Sequence, residues 1–60
     1  MTKREIEFAT KMSKEQVAKA REAGKSEKQQ KDYVYMNVLV WADENDDPLK
    51  LTERIWKKIK

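Results

Sequence analysis

The sequence predicts an all-α fold, a small bundle of three to four short helices. The first observation is a serine or threonine followed three residues later by glutamate or glutamine, a pattern that caps helix starts and occurs three times. The second is a set of Glu-to-Lys pairs spaced four residues apart, in the order that stabilises a helix. These pairs are Glu7–Lys11, Glu15–Lys19, Glu27–Lys31 and Glu53–Lys57. Each adds only about 0.2–0.5 kcal/mol, but their agreement along the chain favours helix.

The N-terminal part of the chain is expected to form one or two helices. Thr2 and Glu5 fit the first capping pattern, and apolar residues follow them at near-helical spacing. Because Ser13 and Gln16 repeat the pattern, either the helix breaks near residues 12–13 or one helix continues with Ser13 on its surface. Gly24 is the only glycine and lies where a helix would end in a left-handed cap.

The stretch from Tyr33 to Ala42 is the most apolar part of the chain, and Asn37 is the polar residue that interrupts it. Its valines and aromatic residues favour a strand by propensity. A strand at about 33–41 would have to pair between two chains, because no second segment resembles a strand. A helix needs no such partner and continues from the third capping pattern, which starts at Ser26. We therefore predict a helix, and since it is apolar on all sides we expect it to be buried at the centre.

Residues 43–47 carry four acidic side chains and are expected to form a turn before the last helix. Pro48 suits the first position of that helix, and Asp47 can cap it. The acidic spacing also resembles the start of a calcium-binding loop, but the later positions that need glycine and glutamate hold proline and arginine. The turn is therefore interpreted as a helix cap. In the last helix, Ile55 and Trp56 are expected to anchor the core.

Chain length and composition limit the kind of protein this is. Sixty residues make a single small domain, residues 1–60, with a small core. Cysteine and histidine are absent, so disulfides and Cys/His metal sites are excluded, and no cofactor or metal site is predicted. The remaining way to bury more surface is association, so we expect a homodimer or a complex with a partner protein. No apolar run reaches the roughly 20 residues that span a bilayer and no signal-peptide layout opens the chain, so a cytoplasmic location is expected.

The predicted partner-binding residues are Tyr33, Asn37 and Trp41, which share one strip of a helix over the apolar stretch. Because Asn37 is costly to bury unpaired, we expect the opposite side of this helix to face the core. That opposite side consists of Tyr35, Leu39 and Ala42, flanked by Met36 and Val38. The strip would then face outward, where tyrosine and tryptophan suit a binding surface. The alternative is that other helices cover the strip and that Asn37 is paired internally.

The C-terminus is the most basic part of the chain. Residues 50–60 carry five basic side chains and one acidic one, and the net charge of the whole chain is +3. Possible nucleic-acid contacts are Arg54, Lys57, Lys58 and Lys60. The simpler interpretation is an amphipathic helix that packs on the core and leaves its lysines in solvent. A helix-turn-helix motif around Gly24 is disfavoured, because Lys25 and Gln30 fall where that motif needs apolar residues.

No spacing of serine, threonine, lysine or carboxylate side chains indicates a catalytic site, so the chain is not expected to be an enzyme. We expect a small protein-interaction or regulatory protein that binds a partner protein, or a second copy of itself, through an apolar, aromatic-rich surface. By analogy, a chain this short and charge-rich fits an accessory protein of a phage, plasmid or bacterium. The alternative function is that of a small basic nucleic-acid-binding protein.

Overall fold

Three helices form a bundle in a computed structural model that describes all residues, 1–60. They are α1 (Lys3–Glu22), α2 (Glu27–Trp41) and α3 (Pro48–Ile59). Short connections of four and six residues join them, and consecutive helices run antiparallel. The predicted all-α bundle is confirmed. The alternative of an intermolecular strand at 33–41 is wrong, because these residues form most of α2 and the chain contains no strand.

Helix α1 is a single uninterrupted helix of 20 residues. Its start is closed by a capping box, in which the Thr2 hydroxyl accepts from the Glu5 N–H at 3.2 Å and the Glu5 carboxylate accepts from the Thr2 N–H at 2.8 Å. The capping pattern at Ser13 is not used, so of the two alternatives the single continuous helix is confirmed and the break near residues 12–13 is wrong. The expected surface position of Ser13 is wrong as well, because this residue is fully buried.

The connection between α1 and α2 has the predicted glycine cap. Gly24 has a φ of +74°, in the left-handed region that favours glycine. Its N–H donates to the carbonyl of Arg21 and the next N–H, from Lys25, donates to the carbonyl of Ala20, both at 3.0 Å. This pair of bonds closes a helix in a Schellman motif. Ser26 then opens α2 with a second capping box, in which Gln29 is the reciprocal partner.

The core lies along the axis between the three helices and is built mostly from small and medium-sized side chains. Its buried apolar residues are Ala9, Val17, Ala20, Val34, Val38, Ile55 and Trp56. The prediction that Ile55 and Trp56 anchor the core is confirmed, since they are 1% and 5% exposed. Ser13, Gln30 and Thr52 are buried beside them. Every buried side-chain nitrogen and oxygen has a hydrogen-bond partner, as a stable interior requires.

Helix α2 faces the core with a different side from the predicted one. Val34 and Val38 are fully buried, whereas Leu39 is 47% and Met36 is 63% exposed. Of the residues predicted on the inner side, Tyr35 and Ala42 are only half-buried. The expectation of a fully buried central helix is therefore wrong, because two neighbouring helices cover only part of the circumference of α2. None of the three helices is both long enough and apolar enough to cross a membrane.

The ion pairs of the helices are interhelical, and no salt bridge forms between two residues of the same helix. None of the four predicted Glu-to-Lys pairs within a helix forms a salt bridge; instead Lys31 of α2 pairs with Glu53 of α3. Lys60, just after α3, lies 3.6 Å from the carboxylate of Glu27, at the start of α2. These contacts are solvent-exposed, so water screens them and each contributes little to stability. They link α3 to α2 at two points.

The acidic turn before α3 uses most of its carboxylates internally. Asp43 accepts from the N–H of Asn45 at 2.8 Å, and Asp47 caps α3 by accepting from the first free N–H groups of that helix. Asp46 accepts from the N–H of Asp43 and binds the amino group of Met1 at 2.6 Å. The interpretation of this turn as a helix cap is confirmed. Glu44 is exposed, and its carboxylate has neither a hydrogen bond nor an ion pair within the chain.

Candidate protein-binding surface

The uncovered side of α2 carries an exposed apolar surface, which we call the outer face and define as Met36, Leu39 and Val40. Their exposed fractions are 63%, 47% and 75%. Residues spaced three and four apart are neighbours on a helix surface, so these three side chains adjoin one another. They lie on the side of the helix opposite the buried Val34 and Val38. The outer face is therefore a continuous apolar surface in contact with solvent.

Two exposed aromatic rings lie where the end of α2 meets α1. Phe8 and Trp41 are 53% and 40% exposed, and their ring centroids lie 5.9 Å apart with an interplanar angle of 77°. This edge-to-face arrangement is one that aromatic pairs favour. It holds two large rings at the surface in a defined geometry, beside the end of α2. We call Phe8 and Trp41 the aromatic edge.

The amount of exposed apolar side chain is large for so small a protein. Six large apolar residues are exposed, which are Phe8, Met36, Leu39, Val40, Trp41 and Leu49, against five that are buried. The chain exposes 4567 Å² in total, compared with about 4,100 Å² for a typical folded monomer of this mass. Scattered exposed apolar residues are normal, but a contiguous group indicates an interaction site. Four of the six lie within residues 36–41.

The strip predicted to bind a partner lies against α1. Asn37 donates from its amide nitrogen to Gln16 at 2.8 Å and to Ser13 at 3.0 Å, so it is paired internally, as the alternative interpretation proposed. Tyr33 is half-buried beside the C-terminal part of α1. Trp41 belongs to the aromatic edge and is the most accessible of the three. A partner-binding role for the strip stays a prediction, and the structure brings only its Trp41 end to the open surface.

The sequence prediction places the wrong side of α2 outward, because Asn37 has hydrogen-bond partners on α1 and does not need solvent. The sequence does contain a signal for the observed orientation of α2. Ser13 and Gln16 are two polar residues in the middle of α1, and the helix continues through them. Their spacing allows both to face a polar residue on the next helix. Pairing Asn37 with them turns Val34 and Val38 inward and leaves Met36 outward.

Opposite charges lie at the two ends of the outer face. Lys25 and Lys28, at the start of α2, are exposed and form no ion pair. At the other end, Glu44 is the acidic residue of the turn that has no internal partner. The outer face thus has the unpaired Lys28 on its N-terminal side, with Asp32 between them, and the unpaired Glu44 in the turn beyond its C-terminal end.

The four predicted nucleic-acid contacts remain at the surface. Arg54, Lys57 and Lys58 are exposed and form no ion pair, whereas Lys60 is engaged with Glu27. Lys50, which was not among the predicted contacts, is exposed on the same helix and is also unpaired. No group of three or more acidic side chains is arranged to hold a metal ion. The surface grooves are shallow and open, and their lining residues do not include any catalytic pair.

Comparison with protein-family models, with curated proteins and with solved structures finds no match for this chain. The function is therefore inferred from the surface described above. Its two distinctive features are the outer face of α2 with the aromatic edge and the run of unpaired cations on α3.

Proposed function

We propose that this chain is a small interaction protein that acts by binding through the outer face of α2 and the aromatic edge, and that its partner is a second copy of the chain. The observation that carries the proposal is that large apolar side chains are as numerous on the surface as in the core, and are concentrated in residues 36–41. Removing such groups from water stabilises a complex by about 25 cal/mol for each Å² buried. The chain would act by occupying a surface, without chemistry of its own.

The charges at the two ends of the outer face favour a second copy over an unrelated protein. Lys28 precedes Met36 by eight residues, and Glu44 follows it by eight. If two copies of α2 pack antiparallel with Met36 at the centre, the first turn of each helix, which carries Lys28, faces the end of the other helix, where the turn that carries Glu44 begins. Such an isologous contact uses the same patch on both subunits and forms each ion pair twice. It also gives Glu44 a partner that it lacks within its own chain.

The size of the surface is compatible with a dimer. A stable interface of standard size buries about 800 Å² on each partner. That is less than one fifth of the 4567 Å² that this chain exposes. Helix α2 has 15 residues and is about 22 Å long, so its outer side together with Phe8 supplies an elongated surface of suitable dimensions. The aromatic edge provides the large rigid side chains that commonly dominate binding energy.

Sedimentation equilibrium across a range of protein concentrations tests the proposal. The wild-type chain should show a monomer–dimer equilibrium, and the double variant Met36→Gln/Val40→Gln should weaken it by about tenfold or more. Both side chains are more than half exposed, so the variant should keep the helical content and thermal midpoint of the wild-type monomer. A wild-type chain that stays monomeric at millimolar concentration would overturn self-association and leave a different protein as the partner.

A charge swap tests the antiparallel arrangement. Lys28→Glu and Glu44→Lys should each weaken the dimer, because each places like charges opposite one another. The double variant Lys28→Glu/Glu44→Lys should recover the wild-type affinity, since the pair is restored with its charges exchanged. Recovery cannot arise within one chain, because these two residues form no ion pair with each other. A dimer that responds to neither single change would contradict this arrangement.

A further inference from the structure

Helix α3 presents four basic side chains on its solvent side, which we call the basic face and define as Lys50, Arg54, Lys57 and Lys58. All four are exposed. Their spacing of four, seven and eight residues from Lys50 places them within about 100° of one another around the helix axis. The buried residues of the same helix, Thr52, Ile55 and Trp56, lie on the other side. The basic face is therefore a single surface, separate from the outer face of α2.

Glu53 lies close enough to Lys57 for their charges to interact, but no residue of the basic face forms a direct ion pair within the chain. The chain forms three ion pairs, and none of them involves a residue of this surface. The acidic residue within α3, Glu53, is turned toward α2, where its contact with Lys31 lowers the pKa of its carboxyl group. Asp47, just before the helix, directs its carboxylate to the backbone N–H groups of the first turn. Four cations thus lie side by side on α3, with Glu53 as the neighbouring carboxylate and no direct ion pair among them.

The side chains of α3 favour a nucleic-acid phosphate backbone over a membrane surface as the ligand of the basic face. Binding at a lipid surface requires apolar side chains that insert beside the cations. In α3, Ile55 and Trp56 are 1% and 5% exposed and belong to the core, and Leu49, which is 67% exposed, lies about 100° from Lys50 around the helix axis, outside the basic face. Base stacking, which single-stranded nucleic acids require, needs an accessible aromatic ring, and the basic face has none. What remains is charge-to-charge contact with an array of phosphates, which a duplex presents at regular spacing.

We infer that the basic face of α3 docks on the phosphate backbone of duplex nucleic acid, without reading its sequence. The run from Lys50 to Lys58 spans about 12 Å along the helix axis, and a duplex strand carries one phosphate for about every 3.4 Å of its axis. The four cations can therefore contact about three to four phosphates. This surface does not overlap the outer face of α2, so the inference is independent of self-association.

Fluorescence anisotropy with a labelled 20-base-pair DNA duplex, titrated at several salt concentrations, tests this inference. The wild-type chain should bind with a slope of log affinity against log salt of about −3 to −4. The double variant Lys50→Gln/Arg54→Gln should reduce the magnitude of that slope by about 2 and lower the affinity at low salt at least tenfold. These positions spare Lys57 and Lys58 in the last turn, where positive charge stabilises the helix end, so folding should be retained.

A matched control removes the same number of charges from another surface. Lys11 and Lys19 are exposed on α1 and form no ion pair, so Lys11→Gln/Lys19→Gln has the same net charge as the test variant. Its salt slope should equal that of the wild-type chain. Equal losses in both variants would show that net charge alone causes binding and would overturn the inference. Binding to vesicles containing an anionic phospholipid, without binding to the duplex, would overturn it as well, in favour of a membrane surface.

Discussion

The side-chain amide of Asn37 donates to the side-chain oxygen of Gln16 at 2.8 Å, which joins the polar residue of the apolar stretch to the middle of α1. The same amide nitrogen also reaches Ser13, which is fully buried. A buried polar group is retained only where its hydrogen bonds are satisfied. This small network therefore determines which side of α2 faces inward, and consequently which apolar residues are left outside.

Asn37→Ala should destabilise the protein by about 1–3 kcal/mol, because it leaves the buried Ser13 hydroxyl without the donor that it accepts from. In a domain of this size, each 1 kcal/mol lowers the thermal midpoint by about 4–8 °C. Thermal unfolding followed by circular dichroism measures the change. The double variant Ser13→Ala/Asn37→Ala should be less destabilised than the sum of the single variants, since no orphaned partner remains. Strict additivity would contradict the network.

Trp56→Ala should cost about 3–5 kcal/mol, because the ring is 5% exposed and its removal leaves a cavity in a small core. Domains of this size are stable by only several kcal/mol, so the variant should lose cooperative unfolding at 25 °C. Trp41→Ala is the matched comparison, since that ring is 40% exposed. It should stay folded and unfold cooperatively in urea. Equal losses of stability in the two variants would show that Trp41 is as much a core residue as Trp56.

The contact between the Met1 amino group and Asp46 predicts how stability depends on pH. The hydrogen bond to Asp46 raises the pKa of the amino group above its usual 8.0, so this contribution is complete below pH 8 and is lost as pH rises through the raised pKa. The hydrogen bond from the amino group, aided by the Asp43 N–H, lowers the pKa of Asp46 below 3.8. Its contribution is present above that value and is lost as pH falls through the lowered pKa.

Asp46→Asn should therefore flatten the pH profile of the thermal midpoint at both ends while leaving other titrations in place. The measurement is a series of melting curves from pH 3 to pH 10, on protein whose mass shows that Met1 is present with a free amino group. Acetylation of that amino group should remove the alkaline decline in the same way. A wild-type profile identical to that of Asp46→Asn would show that the pair does not contribute to stability in solution.

Asp32 is the acidic residue that the proposed dimer would cover. It is exposed on the same side of α2 as Met36, one helical turn nearer the N-terminus. In the antiparallel arrangement its carboxylate would lose water beside apolar side chains of the second copy, at a cost in free energy. Asp32→Asn should therefore tighten self-association several-fold, as measured by sedimentation equilibrium. Glu15→Gln, which removes an exposed and unpaired carboxylate of α1, should leave the dimer affinity unchanged.

The helices and most of their ends could be predicted from the sequence, because they depend on contacts between residues close in the chain. Thr2 and Ser26 reach N–H groups three residues away, Gly24 supplies a left-handed conformation within one turn, and Asp47 with Pro48 starts α3 by local geometry. The strong amphipathic pattern of α3 likewise identified Ile55 and Trp56 as core residues. Such features need no knowledge of what lies across the bundle.

The rotation of α2 about its axis could not be predicted in this way, because a helix apolar on all sides carries no preference of its own for one face. The preference came from α1, where Ser13 and Gln16 provide the partners that make Asn37 acceptable on an inner side. The same long-range geometry directed Lys31 to Glu53 in place of a neighbour on its own helix. The position of the exposed apolar surface therefore depends on hydrogen bonds between residues more than 20 positions apart in the chain.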